Sequence, residues 1–239
     1  MARPAGEFDA QRYFRGDRGL RFYNVGTKPM RALARSIYAA NRDRWTIDDA
    51  MRLADALIAD PYLETKSVGI EVIARYRRSL TPTLLPKWKR WLADGHSANW
   101  ATTDAICGLL IGPLIVAHPT LASRVGAWAR HKNMWVRRAA AVSLIPSVRK
   151  GQALGVAYDV ARALQGDRED LIHKAAGWLL REAGKADPAR LDRYLRQNGP
   201  ATARTTVRYA IERMPAARRR KLLMSTRPKA TPRRPAPRR

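Results

Sequence analysis

The stretch TIDDAMRLADALIAD (residues 46–60) decides the fold class. Thr46 is followed three residues later by Asp49. That spacing is close to a capping box, in which a hydroxyl and a carboxylate satisfy the free amides of a helix start. Beyond it, Ile47, Met51, Ala54, Leu57 and Ile58 recur at helical spacing, so the segment reads as one amphipathic helix. The preceding stretch, GTKPMRALARSIYAANRD (residues 26–43), reads alike. Thr27 is placed to cap it, Pro29 suits its first turn, and Met30, Leu33, Ala34, Ile37 and Tyr38 form its apolar stripe.

Working outward, the rest of the chain punctuates itself at similar intervals, and the pieces between the breaks keep helical period. ETKSVGIEVIARYRRSL and TPTLLPKWKRWLADG lead into NWATTDAICGLLIGPLIV, which reads as one long apolar helix. Next come TLASRVGAWARHK, NMWVRRAAAVSLIPSVRKG, GQALGVAYDVARALQG, REDLIHKAAGWLLREAGKAD, PARLDRYLRQNG and ATARTTVRYAIERM. No alternating β-branched run of useful length competes with them. An all-α chain of successive helical pairs is expected to stack as a HEAT-like helical-repeat solenoid with a concave face. The expected extent is residues 1–225. Residues 226–239, Pro- and Arg-rich without an apolar anchor, are expected to be a disordered basic tail.

Composition narrows the function. The 239 residues carry 46 basic and 20 acidic side chains, a net charge of +26. Eleven of the basic residues follow Glu212, and the remaining 35 still outnumber the acids. The excess therefore belongs to the body as well as the tail. It points to a polyanionic partner, nucleic acid foremost, bound on a basic concave face. No uncharged apolar run reaches eighteen residues and no secretory leader is evident, so neither a membrane partner nor export is expected. Cys107 is the only cysteine, which excludes an intramolecular disulfide and suits the cytoplasm. His96, His118, His131 and His173 are scattered without ligand spacing, so neither a metal nor another cofactor is expected. Phosphate-loop, nucleophile-elbow and paired nucleophile–base signatures are absent.

Three segments carry residues that demand a reason. In NWATTDAI (residues 99–106), Asp104 interrupts an apolar helix one turn after Trp100. At helical spacing Trp100, Asp104, Cys107, Gly108 and Ile111 share a face, and the small Gly108 and Gly112 permit close approach. A buried carboxylate is costly unless paired. By spacing alone, Asp104 is either the partner of an Arg on a neighbouring helix or a functional acid. In MWVRRAAAVSLI (residues 134–145), Asn133 precedes as a cap, and Arg137 and Arg138 point in different directions. One can meet a phosphate while the other is solvated. In IHKAAGWLLREAGK (residues 172–185), Trp178 belongs to the core stripe or faces a ligand. The run KWKRWL (residues 87–92) reads equally as a basic–aromatic patch or as cationic chains lying over packed indoles.

Taken in order, these three segments resemble the AlkD-like DNA alkylation repair enzymes, alkylpurine DNA glycosylases built from HEAT-like repeats. The similarity runs from about Gly26 to Met214. By that resemblance Asp104 is the catalytic carboxylate, Trp100 and Trp178 are the two active-site aromatics, and Arg138, with Arg137 beside it, is a DNA-contacting residue. Asn99 stands where some relatives carry an aromatic, and Gly26 where some carry a polar DNA-contacting side chain. The implied partner is duplex DNA containing alkylated bases, in the cytoplasm at the nucleoid. Nothing demands more than a monomer.

The resemblance implies hydrolysis of the N-glycosidic bond of cationic purines of the 3-methyladenine and 7-methylguanine type, without lyase activity. Such a base departs neutral and needs no general acid, while positive charge develops on the sugar. One carboxylate can then replace the usual pair. The alternative on the same fold is a noncatalytic binder of bent or branched DNA, which has no need of Asp104.

Overall fold

The computed structural model describes Phe14 and residues 19–227 of the chain. The expected tail lies outside the described residues from residue 228 onward. Among those described, the chain is all-helical, with one isolated β-bridge between Arg21 and Tyr62.

Helix α1 (Thr27–Asn41) starts one residue earlier than its sequence suggests: Gly26, at φ 74°, is the cap and supplies no side-chain bond. That left-handed conformation suits glycine. Only Ala34 of the expected stripe is buried, because α1, the first helix among the described residues, packs mainly on α3 (Leu63–Ile73). Helix α2 (Ile47–Ala59) carries the full capping box, Thr46 accepting from Asp49 N and Asp49 accepting from Thr46 N. Met51, Ala54 and Ile58 of its stripe are buried. A 3-10 turn after α3 leads to α4 (Leu85–Ala93), where Trp88 and Trp91 are buried and Trp91 donates to Asp55 at 3.0 Å. Lys87 pairs with the same carboxylate, and Lys89 lies over the Trp128 ring. The indoles of the KWKRWL run are therefore packed into the core, while its lysines turn to Asp55 and to the neighbouring Trp128.

The expected long helix is α5 (Trp100–Ile106), a π-helical turn over Cys107–Ile111, and α6 (Gly112–Ala117). The π turn lets Gly112 N reach Cys107 O just before Pro113, which has no amide to donate. By length and composition the run Trp100–Ala117 is apolar enough to cross a membrane. Here its Ile106, Leu110, Ile111, Leu114 and Ile115 fill the core.

Next come α7 (Leu121–Gly126), α8 (Met134–Val142) and α9 (Ile145–Val148), the last two separated where Pro146 follows Leu144 and Ile145. Then follow α10 (Leu154–Ala163), α11 (Asp170–Ala186), α12 (Pro188–Asn198) and α13 (Arg204–Ala210). The last is α14 (Ala216–Ser225), whose basic sequence has little amphipathic pattern and gave no helical reading. The helices form two rows. In one, α3 touches α5, α5 touches α8, α8 touches α11 and α11 touches α13. Behind it, α4 and α7 lie on α8, α10 on α11, and α12 on α11 and α14.

Helix α11 crosses α13 in close contact. A Cβ on Gly177 would stand 2.4 Å from Tyr209 Cβ and 2.7 Å from the Thr206 carbonyl. Gly177→Ala is expected to push these helices apart and lower unfolding free energy by about 1–3 kcal/mol, read from urea melts. Wild-type stability in that variant would contradict the crossing.

Further along α11, buried Glu182 bonds Arg149 at 3.1 Å and Lys185 at 2.9 Å. Burial pushes its carboxyl up, but the Lys185 and Arg149 bonds outweigh this and hold it near 2.

Candidate functional site

Asn99 begins the site. Its side chain accepts from Thr102 N at 2.8 Å and caps α5, while Thr103 Oγ1 donates to Ser97 O at 2.9 Å. At a position where an aromatic was an option, the chain has a buried helix cap. Buried Lys66 holds the approach to α5, its ammonium donating to Ile58 O at 2.6 Å and to His96 O at 2.8 Å.

From this start α5 presents Trp100 and Asp104 one turn apart. Gly108 continues their face and is exposed, with open space where a Cβ would stand. Cys107 and Ile111, expected on that face, are fully buried, and the π turn marks the change. Burial pushes the Cys107 thiol up to about 12, which makes it an inert packing group. Gly112 does serve close approach: Pro146 Cγ would stand 2.5 Å from a Cβ there.

Asp104 is joined to Arg138 of α8. Arg138 Nε donates to one carboxylate oxygen and Nη2 to the other, both at 2.8 Å. Nη1 donates to Leu171 O in α11 at 2.6 Å. One guanidinium thus ties α5, α8 and α11 together. Burial pushes the Asp104 carboxyl up, the Arg138 hydrogen bond and charge pull it down, and burial prevails, leaving it above the usual carboxylate range. The side chain keeps 19% of its exposure, against 7% for Arg138. The carboxylate is therefore the accessible half of the pair.

Trp100 is 36% exposed, and Phe14 stacks on its ring with centroids 5.1 Å apart and planes within 5°. Phe14 also lies against Phe22, 5.3 Å away. The segment after Phe22 is seated on α3, where Glu64 accepts from Tyr23 N at 3.1 Å and Asn24 N at 2.8 Å. Phe14 had no part in the sequence reading. It precedes every periodic segment, and its only signal was an aromatic inside a polar stretch.

The DNA alkylation repair enzyme family matches residues 1–214. The chain belongs to that family. A solved structure described as a predicted DNA alkylation repair enzyme from Enterococcus faecalis shares the fold, with a TM-score of 0.74 at 16% identity. That superposition covers 86% of this chain and 93% of the other. No curated protein matches the chain in sequence.

Within this DNA alkylation repair protein, Trp178 follows Leu171 by seven residues of α11, about 10 Å along the axis. Its indole nitrogen is buried without a hydrogen-bond partner among the described residues. Arg137 points away from Arg138. Its Nε bonds Asp167 at 2.6 Å and its Nη1 bonds His131 O at 3.0 Å and Lys132 O at 2.8 Å. It fastens the turn before α8 to the loop before α11. The structure therefore joins Asp104 to Arg138, sets Trp100 one turn away, carries Trp178 on the helix that Arg138 grips, and turns Arg137 elsewhere. Among the described residues no His, Cys, Asp and Glu cluster suits a metal.

Proposed function

We propose that the protein is a monofunctional DNA glycosylase that hydrolyses the N-glycosidic bond of cationic alkylated purines in duplex DNA. The observation that carries this reading is a partly accessible carboxylate, Asp104, held in fixed orientation by a bidentate guanidinium beside an exposed indole, Trp100. As the base departs neutral, the sugar becomes cationic. Asp104 stabilises that cation and orients a water on its open face. The faces of Trp100 and Trp178 add cation–π attraction of about 0.5–2 kcal/mol each when desolvated. Neutral adducts leave too slowly, so selection is chemical and no deep base pocket is required.

Arg138 holds the carboxylate in place. Three of the five guanidinium N–H donors are engaged by Asp104 and Leu171, so the main role of Arg138 in this reading is to position Asp104. The protein acts as a monomer, without a metal or cofactor, on a basic concave surface that supplies affinity without sequence choice.

A second reading, the noncatalytic DNA binder, is favoured by the same bidentate pair, since an Asp104 engaged through both oxygens is also a buried structural ion pair. Incubation with a duplex carrying one 7-methylguanine separates the two. Release of free 7-methylguanine, detected by chromatography, is the expected result. Tight binding with no released base would establish the second reading.

A further inference from the structure

Away from Asp104, the end of α1, the start of α2 and the 3-10 turn Ala74–Ser79 enclose a hollow of about 560 Å³. Arg42, Arg75, Arg77 and Arg78 line it, with Tyr76 and Trp45 among them. Its charges do not cancel. Arg42 pairs with Asp43 at 3.6 Å, and Arg75 reaches Glu71 at 3.9 Å. Asp49, the other carboxylate near Tyr76, is taken up by the α2 capping box and by Arg52. Arg77 and Arg78 have no acidic partner within salt-bridge distance among the described residues, and both are exposed.

Two residues that line the hollow carry buried donors that lack acceptors. The Tyr76 hydroxyl is buried without a hydrogen-bond partner among the described residues, and so is Arg75 Nε. Tyr76 is 8% exposed, and its backbone leaves helical geometry at φ −87° and ψ 25°, which fixes the ring at the kink. Tyr38 packs edge-on against it at 5.0 Å and fills the inner side. Buried donors normally find partners. Two that remain open in a wall of guanidinium groups call for a group that only accepts and carries negative charge. A phosphate meets both conditions and matches the planar fork of arginine. Thr46 and Ile47 at the start of α2 complete the lining, the Thr46 amide being taken by Asp49.

We infer that this hollow is a phosphate-binding site, in which Arg77 and Arg78 supply the charge and Tyr76 with Arg75 supplies hydrogen bonds to the oxyanion. It stands apart from Asp104 and does not depend on glycosylase chemistry. The phosphate comes either from a DNA strand or from a free phosphate, and the two sources are separable.

Two variants test it in the full-length protein: Tyr76→Phe, which removes one hydroxyl and no charge, and Arg77→Gln/Arg78→Gln at exposed positions. The first readout is the shift in melting midpoint given by inorganic phosphate at tens of millimolar, against chloride at equal ionic strength. The second is affinity for an undamaged fluorescent duplex as a function of salt. If the source is DNA, Tyr76→Phe weakens duplex binding about threefold or more, and the double variant also lowers the slope of log K against log salt by about 1. If the source is free phosphate, both variants lose the phosphate-induced shift and bind duplex like the wild type. The site is overturned if no single response is lost by both variants. Loss in the double variant alone counts against it, because a diffuse basic field would give the same result. A wild type that binds phosphate here yet releases no methylated base would leave this site standing and remove only the glycosylase reading.

Discussion

Asp104→Asn is expected to lose about a hundredfold to a thousandfold in release of 7-methylguanine, while duplex affinity stays within about threefold. The loss follows from charge. An amide keeps the shape of the carboxylate and one acceptor for Arg138, but it cannot stabilise a sugar cation. The fold is expected to survive. Burial leaves the Asp104 carboxyl above its ordinary range, so the folded chain disfavours its ionised form relative to water. A group raised in this way contributes stability below its unfolded value, and that contribution is lost as pH rises through the folded one. At neutral pH the carboxylate therefore costs stability, and its neutral isostere removes that cost. The same change leaves buried Arg138 without its counter-charge, which opposes the gain, so the melting midpoint is expected to fall by up to about 10 °C with the fold retained. In the wild type, base release falls as pH drops through a midpoint above the usual aspartate range, and the variant lacks that limb. Wild-type rates in Asp104→Asn, with an unchanged acid limb, would remove Asp104 from the mechanism.

How much of this was legible follows from where the information sits. The α2 capping box and the Asn133 cap were legible because each is a contact between residues two or three apart, and spacing encodes it directly. The burial of Met51, Ala54 and Ile58 followed from period alone. The π turn at Cys107–Ile111 was not legible, because Gly112 and Pro113 leave the apolar pattern intact while changing its phase. Helix α14 escaped because its basic face gives no moment, and packing against α12 rather than pattern holds it. The site divides in the same way. Trp100 and Asp104 share a face by spacing, yet the partner of Asp104 lies 34 residues away. Periodicity offered a neighbouring-helix Arg as one option and could not say which. The family resemblance supplied separate roles for Asp104 and Arg138, and the fold bonds the two to each other. Phe14 and the arginine-lined hollow depend on the path of the chain between helices, which no local pattern records.

The bond between those two residues makes Arg138→Leu the most disruptive single change expected at the site. It removes both hydrogen bonds to Asp104 and the one to Leu171 O, and leaves a carboxylate largely enclosed with no counter-charge. Breaking a buried pair from one side typically costs about 3–5 kcal/mol. For a chain of this size that lowers the melting midpoint by about 10 °C. The pH dependence identifies the cause. Without Arg138 only burial acts on Asp104, so its carboxyl rises further, and the stability lost at neutral pH returns as pH falls toward the unfolded aspartate value. Glu182 titrates in the opposite sense. Held near 2 by Lys185 and Arg149, it contributes stability that is lost as pH falls below about 4.5, the ordinary glutamate value. His131, whose proton affinity burial lowers, titrates between about pH 7 and about pH 5 in every variant, so the difference from wild type in urea melts at those two pH values isolates Asp104. Arg138→Leu should recover part of its deficit at the lower pH, and Asp104→Asn/Arg138→Leu should recover part of it at both. Base release in the single variant should fall with its acid limb moved upward. Duplex affinity decides the remaining question: if Arg138 acts by orienting the carboxylate, binding to undamaged DNA is nearly unchanged, whereas a drop in the salt slope of about 1 makes it a phosphate contact as well. A variant as stable as the wild type at both pH values would show that the pair does not hold α5, α8 and α11 together.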